Sequence, residues 1–169
     1  MEAIPHLLLQ EVERRIFEES VPRLIQCVSL LSEKALWKRP NAHSNSVGNL
    51  VLHLCGNVNQ WINSGLGGYP DNRERHKEFD PASSLPAKEL LMVLEVTISK
   101  AKKVIGDMDA ASIDRAYQVQ GFEESGMAIL IHVTEHFSYH VGQISYAVKM
   151  LNDVDLGYYD GQDLDSTNG

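Results

Sequence analysis

The sequence predicts an all-α protein, a four-helix bundle forming a single domain over residues 1–169. Three observations predict it. Four long segments place apolar residues at the 3.6-residue spacing of amphipathic helices. No stretch alternates apolar and polar residues long enough to make a useful strand. Clusters of glycine, proline, serine and asparagine separate the helical segments. With 169 residues, 43% of them hydrophobic, the chain is long enough to bury a sizeable core.

The first segment, residues 3–33, carries Leu7, Leu8, Ile16, Leu24, Cys27, Val28 and Leu31 at helical spacing. Pro22 lies inside it, so a kink or short break is expected near Ser20, a candidate cap for the second half. "KRPNAHSNS" (38–46) is turn chemistry, with Ser44 or Ser46 as the N-cap of the second segment. That segment, "VGNLVLHLCGNVNQWI" (47–62), ends in the glycine and proline stop "SGLGGYPDN". Gly48, Leu52 and Gly56 share one face there, where two glycines would let another helix approach closely. The third segment is 85–108, behind Ser83 or Ser84, and the fourth runs from about 125 to 151. The connection 65–84 is too long for a simple turn. Its twenty residues could span roughly 66 Å when extended. That is enough to return along the bundle and leave the second and third helices parallel. In the tail, "DLGYY" is expected to pack on the bundle, because two tyrosines bury considerable area. Residues after about 163, polar and acidic, are expected to be mobile.

The net charge of −8, from 15 Lys+Arg against 23 Asp+Glu, argues against nucleic acid or an anionic membrane as a partner. Two cysteines, Cys27 and Cys55, make no disulfide framework, so a reducing compartment is expected. "MEAIPHLLLQEVERR" has early acids and no uninterrupted apolar run, unlike a signal peptide, and 18 apolar residues nowhere run together. The expected location is the cytoplasm.

Chemistry concentrates in "HVTEHFSYHVGQI" (132–144), where His132, His136 and His140 recur every four residues. Imidazoles at i and i+4 stand one above the other on a helix and can reach one metal ion, and Gln143 falls within the same stripe. A compact site needs a third ligand from elsewhere. His53 is the best candidate: it sits mid-helix between Leu52 and Leu54, level with the middle of the fourth segment. Asn49, Asn57 and Gln60 share roughly its face and offer supporting hydrogen bonds or a polar cavity wall. A lone buried histidine is usually a satisfied core residue, and H-x3-H pairs arise by chance. Two overlapping pairs plus His53, a fourth histidine flanked by apolar residues, favour the metal.

Other patterns carry less. His132-Val-Thr-Glu135-His136 matches the inverted zinc-protease motif H-x-x-E-H, with Glu135 as general base. That architecture needs an acidic ligand from a distant downstream helix, and only 33 residues follow His136. His6, His43 and His76 read as solvated. Trp37 and Trp61 read as packing anchors, with Trp61 able to line a cavity. Cys55 lies about 200° around the helix from His53 and reads as a small core residue. Arg73 and Arg75 would suit an anionic ligand, but a solvated loop face is the simpler reading. No serine–histidine–acid order, glycine-rich phosphate loop or CxxC is present.

"NSVGNLVLHLCGNVNQWI", "HVTEHFSYHVGQI" and the late "DLGYYDG" together resemble the DinB/YfiT-like superfamily of metal-binding helical bundles, in its uncharacterised DinB-like branch. The resemblance covers about residues 5–160. It implies an up-down-down-up bundle, often dimeric, with zinc or nickel held by one histidine of the second helix and an H-x3-H pair before Gly-Gln. Those positions fall on His53, His136 and His140, with Gly142-Gln143 following, and leave His132 as a cavity residue or alternate ligand. Characterised relatives catalyse thiol-dependent maleylpyruvate isomerisation or S-transfer with mycothiol, bacillithiol or glutathione. The implied partners are a small-molecule thiol and an electrophile, the thiol supplying the nucleophile while Glu135 or His132 moves a proton. A metal-dependent hydrolase, or a metal or ligand binder without turnover, stands as the alternative at the same site.

Overall fold

In the computed structural model, which describes residues 3–167, the chain is mostly helical. The first segment forms α1 (Ala3–Glu13) and α2 (Val21–Ser29), joined by a π-helical stretch, Arg14–Ser20. Pro22 accounts for that stretch. Its ring would clash with the carbonyl four residues back and it donates no N–H; the wider turn lets Val21 N–H reach the Ile16 carbonyl instead. Ser20 is itself helical and makes no side-chain cap, so the expected capped break is a continuous, widened helix.

A short helix, α3 (Glu33–Leu36), leads to α4 (Val47–Val58). Ser46, not Ser44, is the cap of α4. Its Oγ accepts from Asn49 N–H while Asn49 Oδ1 accepts from Ser46 N–H, a reciprocal capping box. The helix continues as a π-helical stretch, Asn59–Leu66, that carries Trp61. Then comes the long connection, with 3-10 turns at Arg75–Phe79 and Pro81–Ser83, before α5 (Ala87–Gly106). Neither Ser83 nor Ser84 caps α5. Glu33 does this work from outside, its carboxylate accepting from Ala87 N–H at 2.9 Å.

The expectation of no strands needs correcting between α6 (Ala110–Asp114) and α7 (Gly126–Asn152). Strands β1 (Ala116–Val119) and β2 (Phe122–Ser125) pair antiparallel, Ala116 opposite Ser125 and Val119 opposite Phe122. Gln120 and Gly121 close the hairpin with φ of 52° and 83°, the left-handed pair a two-residue turn requires. Four residues per strand are too few for alternation to stand out, and Gln-Gly is a weaker turn signal than Asn-Gly.

Leu24, Leu54, Leu90, Leu94, Ile129, Leu130 and Phe137 are fully buried between the long helices. Truncating any of them to alanine is expected to cost about 2–5 kcal/mol. Contacts advance together along α4 and α5: Asn59 Nδ2 donates to Thr97 Oγ1 at 3.2 Å, and Gly67 faces Val104. Between α4 and α7 the order is reversed, with Trp61 against His132 and His53 against His136 and His140. Gly48 does permit a close approach, but of a side chain rather than a helix. A Cβ there would lie 2.7 Å from the Trp37 ring, which is fixed by its Nε1–H donating to the Leu85 carbonyl. In the tail, Leu156 is buried and Tyr158 shares hydrogen bonds with Ser145 and Cys27. "DLGYY" therefore packs on the bundle through Leu156 and Tyr158, whereas Tyr159, expected to bury its ring as well, is 51% exposed; Asn168 and Gly169, the end of the segment expected to be mobile, lie outside the described residues. Among the described residues no helix is long and apolar enough to cross a membrane.

Candidate metal centre

α4 supplies His53 and α7 supplies His136 and His140, and one nitrogen from each lies within 4.8 Å of the others. His136 and His140 meet because they are one helical turn apart; His53 meets them because mid-α4 crosses mid-α7. His53 Nε2 lies 3.1 Å from His136 Nε2, and the His140 ring centroid is 5.0 Å from that of His53. Two nitrogens each about 2.0–2.1 Å from a tetrahedral zinc are roughly 3.3 Å apart, so His53 and His136 already stand at nearly the spacing of ligands.

The other ring nitrogens show how the imidazoles are turned. His53 Nδ1 lies 2.8 Å from Glu78 Oε2, and His140 Nδ1 lies 2.7 Å from Gln143 Oε1. Both acceptors favour the tautomer protonated at Nδ1, which leaves the Nε2 lone pairs for a ligand role. Glu78 is held by Arg73, whose Nε donates to Oε1 at 2.7 Å and whose Nη2 donates to Oε2 at 3.0 Å. Arg73 Nη1 donates in turn to Gln60 Oε1. This crowded contact needs Gly56, where a Cβ would lie 2.0 Å from Glu78 Oε1. The second glycine of α4 therefore admits a loop carboxylate, not a helix.

Electrostatics keep the imidazoles of His136 and His140 neutral. Burial, followed by the neighbouring His140, His53 and His132, pushes His136 down to about 3. Burial also lowers His140, against the opposing hydrogen bond with Gln143. Burial works to raise Glu78, but the hydrogen bonds with His53 and Arg73 outweigh it and hold the carboxyl below its ordinary value. Neutral imidazoles beside an ionised outer carboxylate make a donor set that fits a divalent cation. Among the described residues His136 Nδ1 is buried without a hydrogen-bond partner, while its Nε2 faces His53 Nε2 on the side where the three nitrogens converge.

A family profile described as "Protein of unknown function (DUF1572)" matches residues 6–158. The chain belongs to the DUF1572 family. Among solved structures, a DinB-like protein from Bacillus cereus ATCC 10987 superposes with a TM-score of 0.63 at 13% identity, over 85% of this chain and 89% of that one. A conserved protein from Enterococcus faecalis gives a TM-score of 0.68, also at 13% identity, over 91% of this chain and 99% of its own. At that identity the likeness speaks for the fold, which is DinB-like. No curated protein matches the chain.

The remaining residues singled out in this DUF1572 chain divide clearly. His132 stands one turn outside the triad, its ring 5.7 Å from His136 and 4.2 Å from Trp61, whose Nε1–H donates to Gln120 Oε1 on the hairpin turn. Glu135 is exposed, and among the described residues no carboxylate joins the three-histidine group, so the H-x-x-E-H arrangement is not assembled. Asn49 acts at a distance: its Oδ1 is used by Ser46, and its Nδ2 donates to the Glu78 carbonyl at 2.9 Å, pinning the loop that carries the carboxylate. Asn57, one turn beyond His53, is buried with its Oδ1 unpartnered. Cys55 is buried and its thiol is pushed up to about 12, chiefly by burial. His6, His43 and His76 are exposed.

Two residues depart from the sequence reading. Arg73 is not on a solvated face; its side chain is 4% exposed. Glu78 carried no signal of its own, because it lies in a non-periodic loop 25 residues from the histidine it supports. The signal that could have found it is Gly56, a glycine inside an apolar helix next to a histidine.

Proposed function

We propose that this chain binds a divalent metal ion, zinc or nickel, through His53, His136 and His140. In this reading the site activates a low-molecular-weight thiol for attack on an electrophile, making the protein an S-transferase or isomerase. The observation that carries the reading is the convergence of three imidazole nitrogens within 4.8 Å. A divalent ion held by these three residues would lower the pKa of a thiol far below its free value of about 8.5 and so make a nucleophile available at neutral pH.

The chain's own residues do the rest. Glu78 and Gln143 orient His53 and His140, and imidazole ligands, which carry no negative charge, would leave a bound cation's charge uncancelled. No cysteine of the chain serves as nucleophile, since Cys27 and Cys55 are both buried. His132, whose pKa burial lowers, is a neutral base at pH 7, with exposed Glu135 beside it to pass the thiol proton to water. In transfer, a sulfur–carbon bond forms to the electrophile and the leaving group departs with its electron pair. In isomerisation the thiol adds and is later expelled unchanged. Asn57, one turn beyond His53 on α4, keeps a buried, unpartnered acceptor, and Asn49 keeps the Glu78 loop in place.

The pairing of α4 with α5 and α7 supports an up-down-down-up order of the long helices. Exposed Ile131, Tyr139, Tyr146 and Met150, which fall within an arc of about 100° around α7, support a homodimer. Two unpaired thiols fit a reducing, cytoplasmic setting. The test is consumption of an electrophile such as chlorodinitrobenzene by metal-loaded protein. Activity that requires added thiol supports the proposal, thiol-independent ester hydrolysis favours a hydrolase, and tight metal with neither leaves a binder.

A further inference from the structure

The loop that supports His53 also places a second arginine near it. Arg73 is spent on Glu78 and Gln60, and Lys77 pairs with Glu74. Arg75 is exposed and makes no salt bridge or hydrogen bond among the described residues. It is nonetheless placed. Its guanidinium carbon sits 5.3 Å from the Phe79 ring centroid, and that ring lies 5.1 Å from the His53 ring. Both residues belong to the 3-10 turn Arg75–Phe79, and that turn is fixed at its far end because Glu78 is locked to His53 and Arg73. The guanidinium can therefore lie no farther from the His53 ring than those two distances laid end to end. Stacking on an aromatic face leaves the edge of the guanidinium, with its forked N–H donors, open to a planar anion.

We propose that Arg75 is a specificity-determining residue that anchors the carboxylate of the small molecule bound at the three-histidine centre. The cosubstrate class is then a thiol carrying a carboxylate several bonds from its sulfur, the sulfur meeting the site and the carboxylate meeting Arg75. This inference rests on the thiol reading above and deepens it. Glu135 lies among the residues lining the outer face of His132 and His136, so anions directed to that side meet repulsion, whereas the Phe79 side offers an unpaired cation. The net charge of −8 disfavours anions at long range, so selection for one must come from a local contact such as this.

Mercaptohexanoate and mercaptohexanol share a thiol and a chain length and differ in a terminal carboxylate, which makes them a matched pair of probes. Cobalt-loaded full-length protein is titrated with each, and the sulfur-to-cobalt charge-transfer absorption gives the two dissociation constants. The carboxylate thiol is expected to bind up to about five-fold tighter, the upper end of the range for an exposed Arg–carboxylate pair. Arg75→Ala should abolish that preference while cobalt uptake and mercaptohexanol binding stay at wild-type values, and Arg75→Lys should restore part of it. Equal affinities in the wild type, or a preference that survives Arg75→Ala, overturn the inference and leave the thiol reading standing. A protein that takes up cobalt but shows no sulfur band with either thiol overturns the thiol reading and this inference together.

Discussion

Glu78 reaches across from the long connection to place its Oε2 2.8 Å from His53 Nδ1, while Arg73 grips both of its oxygens. An imidazole held in this way has one tautomer and one orientation before any ligand arrives. Removing such an outer carboxylate typically costs 10–100-fold in metal affinity. Glu78→Ala should therefore weaken zinc binding by roughly that factor without abolishing it, and Glu78→Gln, which keeps an acceptor but not the charge, should weaken it less. Competition against a chelator of known affinity measures this. Unchanged affinity in Glu78→Ala would remove Glu78 from the account.

Gly56 gives an independent check, because it touches no histidine ligand yet controls whether Glu78 fits. A methyl group there would overlap Glu78 Oε1, so Gly56→Ala should push the loop away and weaken zinc binding by about the same factor as Glu78→Ala. The two effects should not add: in a Glu78→Ala background, Gly56→Ala should cost little more. Full additivity would mean that the glycine acts on something other than this contact.

These two residues show where sequence reading succeeds and where it stops. His53, His136 and His140 were legible because a helix repeats every 3.6 residues, so spacing alone puts 136 and 140 on one face and calls for a partner at the same level. Ser46 was legible through its capping chemistry, and Pro22 as a disturbance, although the wider turn it produces keeps the helix continuous. Glu78 and Arg73 were not legible, because no period governs a loop and their pairing depends on how a 20-residue connection folds back on α4. The β1–β2 hairpin escaped for a related reason: its strands are shorter than the window in which alternation can be distinguished from chance.

The depressed His136 sets a pH dependence for the metal-free protein. Above its ordinary value of 6.5, folded and unfolded chains are both neutral at this ring. Below it the unfolded chain takes up a proton that the folded chain refuses until about 3, so the unfolded state binds more protons and stability falls as the pH drops through that window. His132 and His140 are shifted in the same direction and add to the trend. Glu78, lowered in the folded state, adds a loss of its own as the pH falls through its ordinary 4.5. The thermal midpoint of chelator-treated protein should drop steadily below about pH 6.5, and His136→Gln should give a shallower slope. Identical slopes would show that His136 is not held neutral.

The exposed side chains along α7 make the assembly testable. Light scattering should give about twice the chain mass of 18.9 kDa at micromolar concentration, and Tyr146→Glu should shift it toward a single chain. A mass of one chain for the unaltered protein across that range would rule out the dimer.

The central claim is that His53, His136 and His140 form one metal site while His132 stands outside it. Its most direct test is the metal content of protein purified without a metal-affinity column, for the wild type and the single variants His53→Ala, His132→Ala and His140→Ala. The account predicts about one equivalent in the wild type, most of it retained in His132→Ala, and loss of stoichiometric metal in the other two, since two imidazoles rarely hold a divalent ion against water. Metal retained in both His53→Ala and His140→Ala, or lost only in His132→Ala, would contradict it.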